Sequence, residues 1–581
     1  VGLQYLLQDA GANYFGQRNT DKSYRVLTGA RGNMGDWNWE TAFATAGTHS
    51  TTYQTINVNL KGFEKAFGPY SVDPGTGRVI ISDHPAYKFG EISEANAALI
   101  REAFPTFDIQ SWTRLHTLDG KIEGPLFQLP AGEMRAAFGF NASRETFYTP
   151  GNADAAAGLI TQQGGSWFDG ARNTYALFAE TVAPITDKLE LDAAVRVDKY
   201  PNFSANVAPK IGFKYQAFDQ LMLRGTYSTG FRAPSLAESG SGGVFAQLGG
   251  YRDEVRCAET NAIADLLRQS QRAGDVDLGK SLANVDCSRT VARMTQPNQD
   301  LKPEKAKIAT LGFVYEPASW LSVSADYWFI YRNNEIVAPD FSRDTDIISS
   351  TRSPITDADR ANLAQLAAMC ADPASGVSCP SVLPGYSVGN VASVVGQYKN
   401  RGKTLVDGFD VDARSRFSLG EWGGLNVGLA ATIANRNRYY MDEESGWYYG
   451  DVVGYYNNPR LRATLNADWT YKQVTTSMFV NYVGGTKWAR DRVDEVDNNK
   501  ETCTAGYLAL QASKCDGAPS WWTANLSVTW RPDDAWNLSF TVKNLFDRLP
   551  FYDPNSFLGD SSDYATIFGR GYSVTIGYRF K

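Results

Sequence analysis

A chain of 581 residues with 56 basic and 63 acidic side chains, a formal net charge of −7, lacks the basic excess that nucleic-acid binding calls for. Hydrophobic residues make up 43% and charged residues 20%, and no run of eighteen apolar residues occurs, which excludes a helical membrane span. Aromatics at 13%, 53 glycines and only three histidines point to an all-β architecture, and Val1 follows no visible apolar leader, so a signal peptide has been removed or the chain begins downstream of one.

The chain opens on "VGLQYLLQDAGANYFGQRNTDKSYRVLTGARG", a loop leading into a strand near Ser23–Arg31. Strict two-residue alternation then recurs. Over 189–198, Leu189, Leu191, Ala193, Val195 and Val197 share one face, and Glu190, Asp192, Arg196 and Asp198 the other. Over 425–433, Leu425, Val427, Leu429, Ala431 and Ile433 alternate with small or polar residues, and over 461–469 Leu461, Ala463, Leu465, Ala467 and Trp469 alternate with Arg462, Thr464, Asn466 and Asp468. Segments 524–530 and 536–544 repeat the scheme, and the chain closes with Tyr572, Val574, Ile576, Tyr578 and Phe580 against Ser573, Thr575, Gly577 and Arg579. A packed sandwich rarely puts full charges on the second face of so many consecutive strands.

About seventeen strands are countable, and their connections alternate short and long. The short ones are 32–36, 184–187, 216–219, 316–319, 471–473 and 531–534. Between them lie long polar segments at roughly 50–106, 149–171, 232–303, 336–391, 438–456, 488–519 and 546–567; the link at Tyr200–Phe203 is the one short member of that series. This is the pattern of a transmembrane antiparallel β-barrel with tight periplasmic turns and large extracellular loops. It predicts Leu221, Leu223, Tyr227, Leu465, Trp469, Leu538 and Val574 toward lipid, and Arg196, Arg224, Asp410, Asp412, Asp468 and Arg579 toward the lumen. Helical patterns at 93–104, 262–273 and 356–369, the last with Thr356 as N-cap, place short helices inside the loops.

All six cysteines fall in three of the long segments: Cys257 with Cys287, Cys370 with Cys379, Cys503 with Cys515. Six cysteines allow fifteen pairings, but this segregation favours the three local disulfides, all on one side of the membrane. Free thiols or a metal cluster are the alternative, and neither histidine neighbours nor CxxC spacing supports a metal.

The stretches "LMLRGTYSTGFRAPSLAE" (221–238), "NQDLKPEKA" (298–306), "VKNLFDRLPFYDP" (542–554) and "GRGYSVTIGYRF" (569–580), in that order and with "LFQLPAGEMRAAFGF" (126–140) before them, resemble the barrel of a TonB-dependent outer-membrane receptor. The resemblance runs from about residue 20 to the end. It implies a 22-stranded barrel of which this chain holds about seventeen strands, an N-terminal plug domain, and ligand-gated import driven by contact with TonB in a Gram-negative outer membrane. No plug-like segment or TonB box precedes the first strand here, and the last residue is Lys581 instead of an aromatic. Residues 1–581 therefore read as one receptor barrel domain lacking the plug and first few strands. On this reading five strands and the plug come from residues upstream of Val1 or from another polypeptide, and Tyr572–Phe580 pairs with a strand this sequence does not contain rather than with Ser23–Arg31.

The function expected is active import of a scarce nutrient, with a passive porin or a surface adhesion barrel as alternatives. Exposed aromatics suit sugars, peptides or aromatic chelates. The segment 436–459 concentrates Tyr439, Tyr440, Trp447, Tyr448, Tyr449, Tyr455 and Tyr456, and Trp167 stands in an earlier long segment; these are the candidate ligand-binding residues. The acidic run 491–501, with Asp491, Asp494, Glu495 and Asp497, lacks the spacing of a calcium loop and reads as solvated. His49, His84 and His116 are scattered and no hydrolase or metalloprotease motif occurs, so neither an enzyme nor a cofactor is expected. Expected partners are the plug with the N-terminal strands, the TonB complex through that part, lipopolysaccharide and other outer-membrane lipid, and a surface lipoprotein.

Overall fold

The computed structural model describes residues 16–55, 57–69, 71–72, 79–81, 84–157, 159–160, 164–341, 346–372, 388–442, 446–455, 458–487, 517–548 and 569–580. Seventeen long strands make a continuous wall. They are β1 (Gln17–Met34), β2 (Trp37–Gln54), β3 (Phe107–Leu129), β4 (Gly132–Thr149), β5 (Trp167–Thr186), β6 (Leu189–Lys199), β7 (Asn206–Phe218), β8 (Leu221–Arg232) and β9 (Glu304–Ala318). The wall continues through β10 (Leu321–Val337), β11 (Lys399–Ser418), β12 (Gly424–Asp442), β13 (Leu461–Tyr471), β14 (Val474–Val483), β15 (Trp521–Trp530), β16 (Trp536–Lys543) and β17 (Gly571–Tyr578). Each pairs antiparallel with its neighbours in this order. Five shorter loop strands bring the sheet to 22 members, so that number is not a barrel count. Among the described pairings none joins β1 to β17.

Register makes the two faces explicit, because directly opposed residues in an antiparallel ladder share a face. Leu223, Phe313, Ala325, Val411, Ala431 and Ala463 form one apolar row across β8–β13. One residue along, Arg224, Gly312, Asp326, Asp410, Thr432 and Arg462 form a polar row on the other face. Aromatics gather at the rim of tight turns: Trp320 lies against Phe417, Trp469 against Tyr471, and Trp536 against Tyr578, the interfacial belt of a membrane strand. At that rim Gly35, at φ 63°, sits in the two-residue link between β1 and β2, a backbone angle an L side chain rarely adopts.

Tight links at 130–131 and 419–423 join those read from the sequence, while the long segments fall where alternation placed them. The first helix pattern is Glu94–Ala103, capped by Ser93, and the third is Asp357–Ala371, with a capping box between Thr356 and Asp359. The middle pattern is displaced: one helix spans Glu254–Arg268 and a second begins at Ala273, with Gln269 as the first helix's C-cap. The pattern 262–273 holds the last turns of the first helix, the polar break at 269–272 and only the first residue of the second helix, so it reads as one helix. Leu60–Phe67 is a further loop helix, packed on Glu94–Ala103 through Phe67, Tyr87 and Ile100.

Candidate functional site

The site begins where β8 ends. Pro234 cannot extend a ladder, and Ser235 caps the short helix Leu236–Ser239: its hydroxyl accepts from Glu238 N–H at 3.2 Å while the Glu238 carboxylate accepts from Ser235 N–H at 2.7 Å. Arg232 donates to both Glu238 oxygens at 2.9 and 3.1 Å and to Glu304 Oε1 at 2.6 Å. Burial pushes the Glu304 carboxyl up, but hydrogen bonds from Arg232 and from Ile336 N–H outweigh it and hold the group below the usual carboxylate range. The same carboxylates push the Arg232 guanidinium up. The motifs "FRAPSLAE" and "NQDLKPEKA" are thus one structure, a clamp at the barrel mouth joined also by Asn298 N–H to the Glu238 carbonyl at 2.7 Å. Arg232, Glu238 and Glu304 were not among the residues chosen from sequence, though the two motifs that hold them were visible.

Beside the clamp a cavity of about 250 Å³ opens between Arg172, Tyr200, Phe203, Pro234, Leu236 and Gln299. Arg172 is tied to Glu145 and to the Pro234 carbonyl, and its guanidinium lies over the Tyr200 ring at 5.1 Å. Below it, inside the wall, a cavity of about 760 Å³ is lined by Arg224, Asp326, Asp410, Asp412, Arg462 and Thr464. Arg224 binds Asp326 through two hydrogen bonds at 2.9 and 2.5 Å, and Thr432 donates to Asp410 at 2.7 Å. Three of the residues expected in the lumen, Arg224, Asp410 and Asp412, line this space. Arg579 lies past the end of β17, where its N–H donates to the Ala535 carbonyl at 2.8 Å.

Above the mouth, the described residues of segments 233–303 and 338–398 fold into one body. A sheet orders Ser241–Tyr251, Arg289–Gln296, Val391–Gln397 and Ile347–Arg352, with a parallel pairing between Ala292–Gln296 and Ser393–Gln397. Val291, Phe341, Val391 and Val394 form one apolar core, and Ile263, Leu267, Leu366 and Met369 a second between helices of the two segments. Arg256, 2% exposed, reaches Asp286 at 3.2 Å, Asp359 at 2.7 Å and the Val388 carbonyl at 2.9 Å. Arg352 donates to both oxygens of Asp253 at 2.8 and 3.0 Å. Burial pushes the Asp253 and Asp359 carboxyls up, but the arginine hydrogen bonds and charges hold both below their ordinary range. Cys257 and Cys287 are bonded, stapling helix Glu254–Arg268 to the turn that precedes strand Arg289–Gln296. Cys370 lies in helix Asp357–Ala371, but its side chain and Cys379, Cys503 and Cys515 are outside the described residues, as is the acidic run 491–501.

The aromatic candidates are spread out. Tyr439 and Tyr440 are successive residues of β12 and so point to opposite faces; Tyr439 pairs in register with Thr404 and Tyr448, Tyr440 with Lys403 and Trp447. The Lys403 ammonium lies over the Tyr440 ring at 4.2 Å. Trp447, Tyr448 and Tyr449 belong to strand Gly446–Asp451, with side chains outside the described set; Tyr455 is half-buried and Tyr456 is outside it. Trp167 begins β5 opposite Gly243, on a different part of the rim, and is 42% exposed. The alternation of a strand divides what a count of tyrosines had grouped together.

Antiparallel strands with an apolar outer face, a charged inner face, tight turns at one rim and folded loops at the other make a membrane β-barrel wall. Residues 2–545 match the family model described as TonB dependent receptor-like, beta-barrel, and the chain belongs to that family. It is an outer-membrane protein of the Gram-negative type. No curated protein sequence matches it. Similar solved structures include the siderophore receptor PirA from Acinetobacter baumannii, at 16% identity and TM-score 0.57, covering 97% of this chain and 63% of that one. A point mutant of the ferric enterobactin receptor PfeA from Pseudomonas aeruginosa, in complex with enterobactin, is 15% identical at TM-score 0.58, covering 97% of this chain and 62% of that one. The chain thus spans under two thirds of the length of these receptors, which share its fold.

Proposed function

We propose that the chain is the greater part of the barrel of an active transporter that captures a scarce nutrient, a ferric siderophore, at its extracellular face and imports it with energy from the TonB complex. The clamp of Arg232 with Glu238 and Glu304 is the observation that carries this reading, since it welds a loop helix onto the inner edge of the mouth and leaves a cavity beside it. The similarity to PirA and PfeA, named as siderophore and ferric enterobactin receptors, supports the substrate class. Tyr439, Tyr440, Trp447, Tyr448, Tyr449, Tyr455, Tyr456 and Trp167 are the ligand-contacting residues of this proposal.

Among the described pairings the two outermost strands are partnered on one side only, and an unpaired backbone group costs several kcal/mol in lipid; in the proposal further strands cover these edges. In the proposal those strands and the plug come from a region outside residues 1–581, which also contacts TonB. Lipopolysaccharide surrounds the wall, and a surface lipoprotein engages the loop body. Uptake of a radiolabelled ferric catecholate by cells carrying the complete receptor should stop when an uncoupler collapses the proton motive force. Uptake that persists would favour a passive porin, and binding without uptake an adhesion barrel.

A further inference from the structure

The ladder along β5 has a gap at the extracellular mouth. On one side β5 pairs with β4 without interruption from Phe168 to Val182. On its other side it has two partners in succession: β6 reaches only to Tyr175, opposite Lys199, and strand Ser241–Tyr251 takes over at Asp169, opposite Ser241. Gly170 to Thr174 have no strand partner on that side among the described residues. The cavity beside the clamp fills this interval, lined by Asp169, Gly170, Ala171 and Arg172 in sequence. Side chains of consecutive strand residues point to opposite faces, so a space that touches four in a row looks onto the edge of the strand.

The neighbouring pairs give the direction of the backbone groups. A β-carbon placed on Gly242 would stand 2.1 Å from the Trp167 carbonyl oxygen, and one on Gly240 3.4 Å from that of Asp169, so the odd-numbered carbonyls of β5 point to this edge. Backbone groups alternate between the two edges of a strand, which turns the N–H and C=O of Ala171 and Asn173 into the gap. The two donor–acceptor pairs stand roughly 7 Å apart. Counted from Thr186, a hydrocarbon crossing of roughly 9–11 residues ends between Leu177 and Tyr175, so the gap lies above the bilayer core. Tyr200, Asn202 and Gln299 line the same space, and their side chains make no hydrogen bond among the described residues. Both ends are stopped, one by Lys199, whose ammonium donates to the Phe203 carbonyl at 2.7 Å, the other by Ser241. A strand of another protein, typically about 5–6 residues, has no room to run through. A short extended segment does.

We propose that the gap is a binding site for a short run of amide units in the imported ligand, which completes the β5 ladder by bonding to Ala171 and Asn173. Ligand carbonyls accept from the two N–H groups, ligand N–H groups donate to the two carbonyls, and the Asn202 and Gln299 amides hold what projects from the ligand backbone. Strand addition of this kind draws its affinity from main-chain bonds. The proposal rests on the import reading and narrows its cargo to a chelate built on a peptide-like backbone.

The probe is N-acetyl-dialanine amide, with its N-methylated counterpart as control ligand, measured by saturation-transfer NMR on outer-membrane vesicles carrying the complete receptor. Binding of the amide should exceed that of the N-methylated compound roughly fivefold, the worth of one hydrogen bond. It should fall similarly in Ala171→Pro, which removes a gap-facing N–H at an unpaired edge, where proline is tolerated. N202A/Q299A, which leaves the backbone intact, should weaken it too, and Lys188→Gln, in the tight turn between β5 and β6 at the opposite rim, should not. Heat-modifiable migration in gels verifies folding; should Ala171→Pro fail to fold, the N-methyl comparison and N202A/Q299A decide. Equal binding of the two probes, binding of neither, indifference to N202A/Q299A, or equal loss in Lys188→Gln would each overturn the proposal. Probe binding involves no uptake, so a failed uptake assay leaves the site standing and a failed probe assay leaves transport standing.

Discussion

The barrel wall and the body built from segments 233–303 and 338–398 are held together in opposite ways. In the wall each residue's partner is set by the ladder, apolar groups meet lipid, and exposed pairs such as Lys214 with Glu190 at 2.9 Å are weak and replaceable. In the loop body, charges are buried: Arg256 and Asp286 are 2% and 1% exposed and joined across 30 residues, with Asp359 brought in from the other segment. A buried pair adds little over an apolar replacement, yet losing one partner strands a charge. The wall should therefore tolerate polar change on its inner face and fail on its outer one, whereas the loop body should fail at a single internal charge.

The largest effect is expected from Arg256→Ala, which leaves Asp359 buried without a guanidinium and Asp286 with Arg289 as its remaining one, and should cost the loop body about 3–5 kcal/mol. Hydrogen exchange would register it as lost protection in 241–251, 289–296, 347–352 and 391–397 together, with β2 to β8 unchanged. Loss in only one of the two segments would show that they are not one body. Removing the disulfide by Cys257→Ser with Cys287→Ser opens a loop of 30 residues. It should cost about 3–4 kcal/mol, seen as earlier proteolysis between the two positions.

In the wall, Leu465→Arg near mid-bilayer should cost roughly 2–4 kcal/mol, while Thr464→Asn, its neighbour on the lumen face, should change the urea midpoint little. Equal effects would mean that the faces have been exchanged. The smallest effect concerns pH. Asp253 and Asp359 have lowered folded-state values, so their contribution is complete above the unfolded carboxylate value of roughly 4 and is lost as pH falls through the folded ones. Loop-body protection should be flat from pH 7 to 5 and fall below about 4, before the wall responds.

Period-two patterning made the wall legible because every residue of a membrane strand must choose lipid or lumen, and Leu465 and Arg462 could choose in only one way. The loop body was legible only in pieces. Thr356 announced its helix through a local capping box, but Arg256 with Asp359 is a contact between residues 103 apart with no local signature. The clamp lay between these cases: Arg232 and Glu238 sit in one motif and Glu304 in another, and nothing in either stretch tells that they touch. For the aromatic group around Tyr439, a count of tyrosines does not tell which face each one takes: Tyr439 and Tyr440 lie on opposite faces of one strand.

The distance between β1 and β17 in the outer membrane tests most directly whether this wall is an arc of a larger barrel. Spin labels at Tyr24→Cys and Val574→Cys report it, both positions lying on outward rows. With several strands at about 4.8 Å spacing inserted between them, the labels should stand beyond about 20 Å. A separation of one ladder spacing, about 5 Å, would mean that β1 and β17 pair and that the seventeen strands close by themselves.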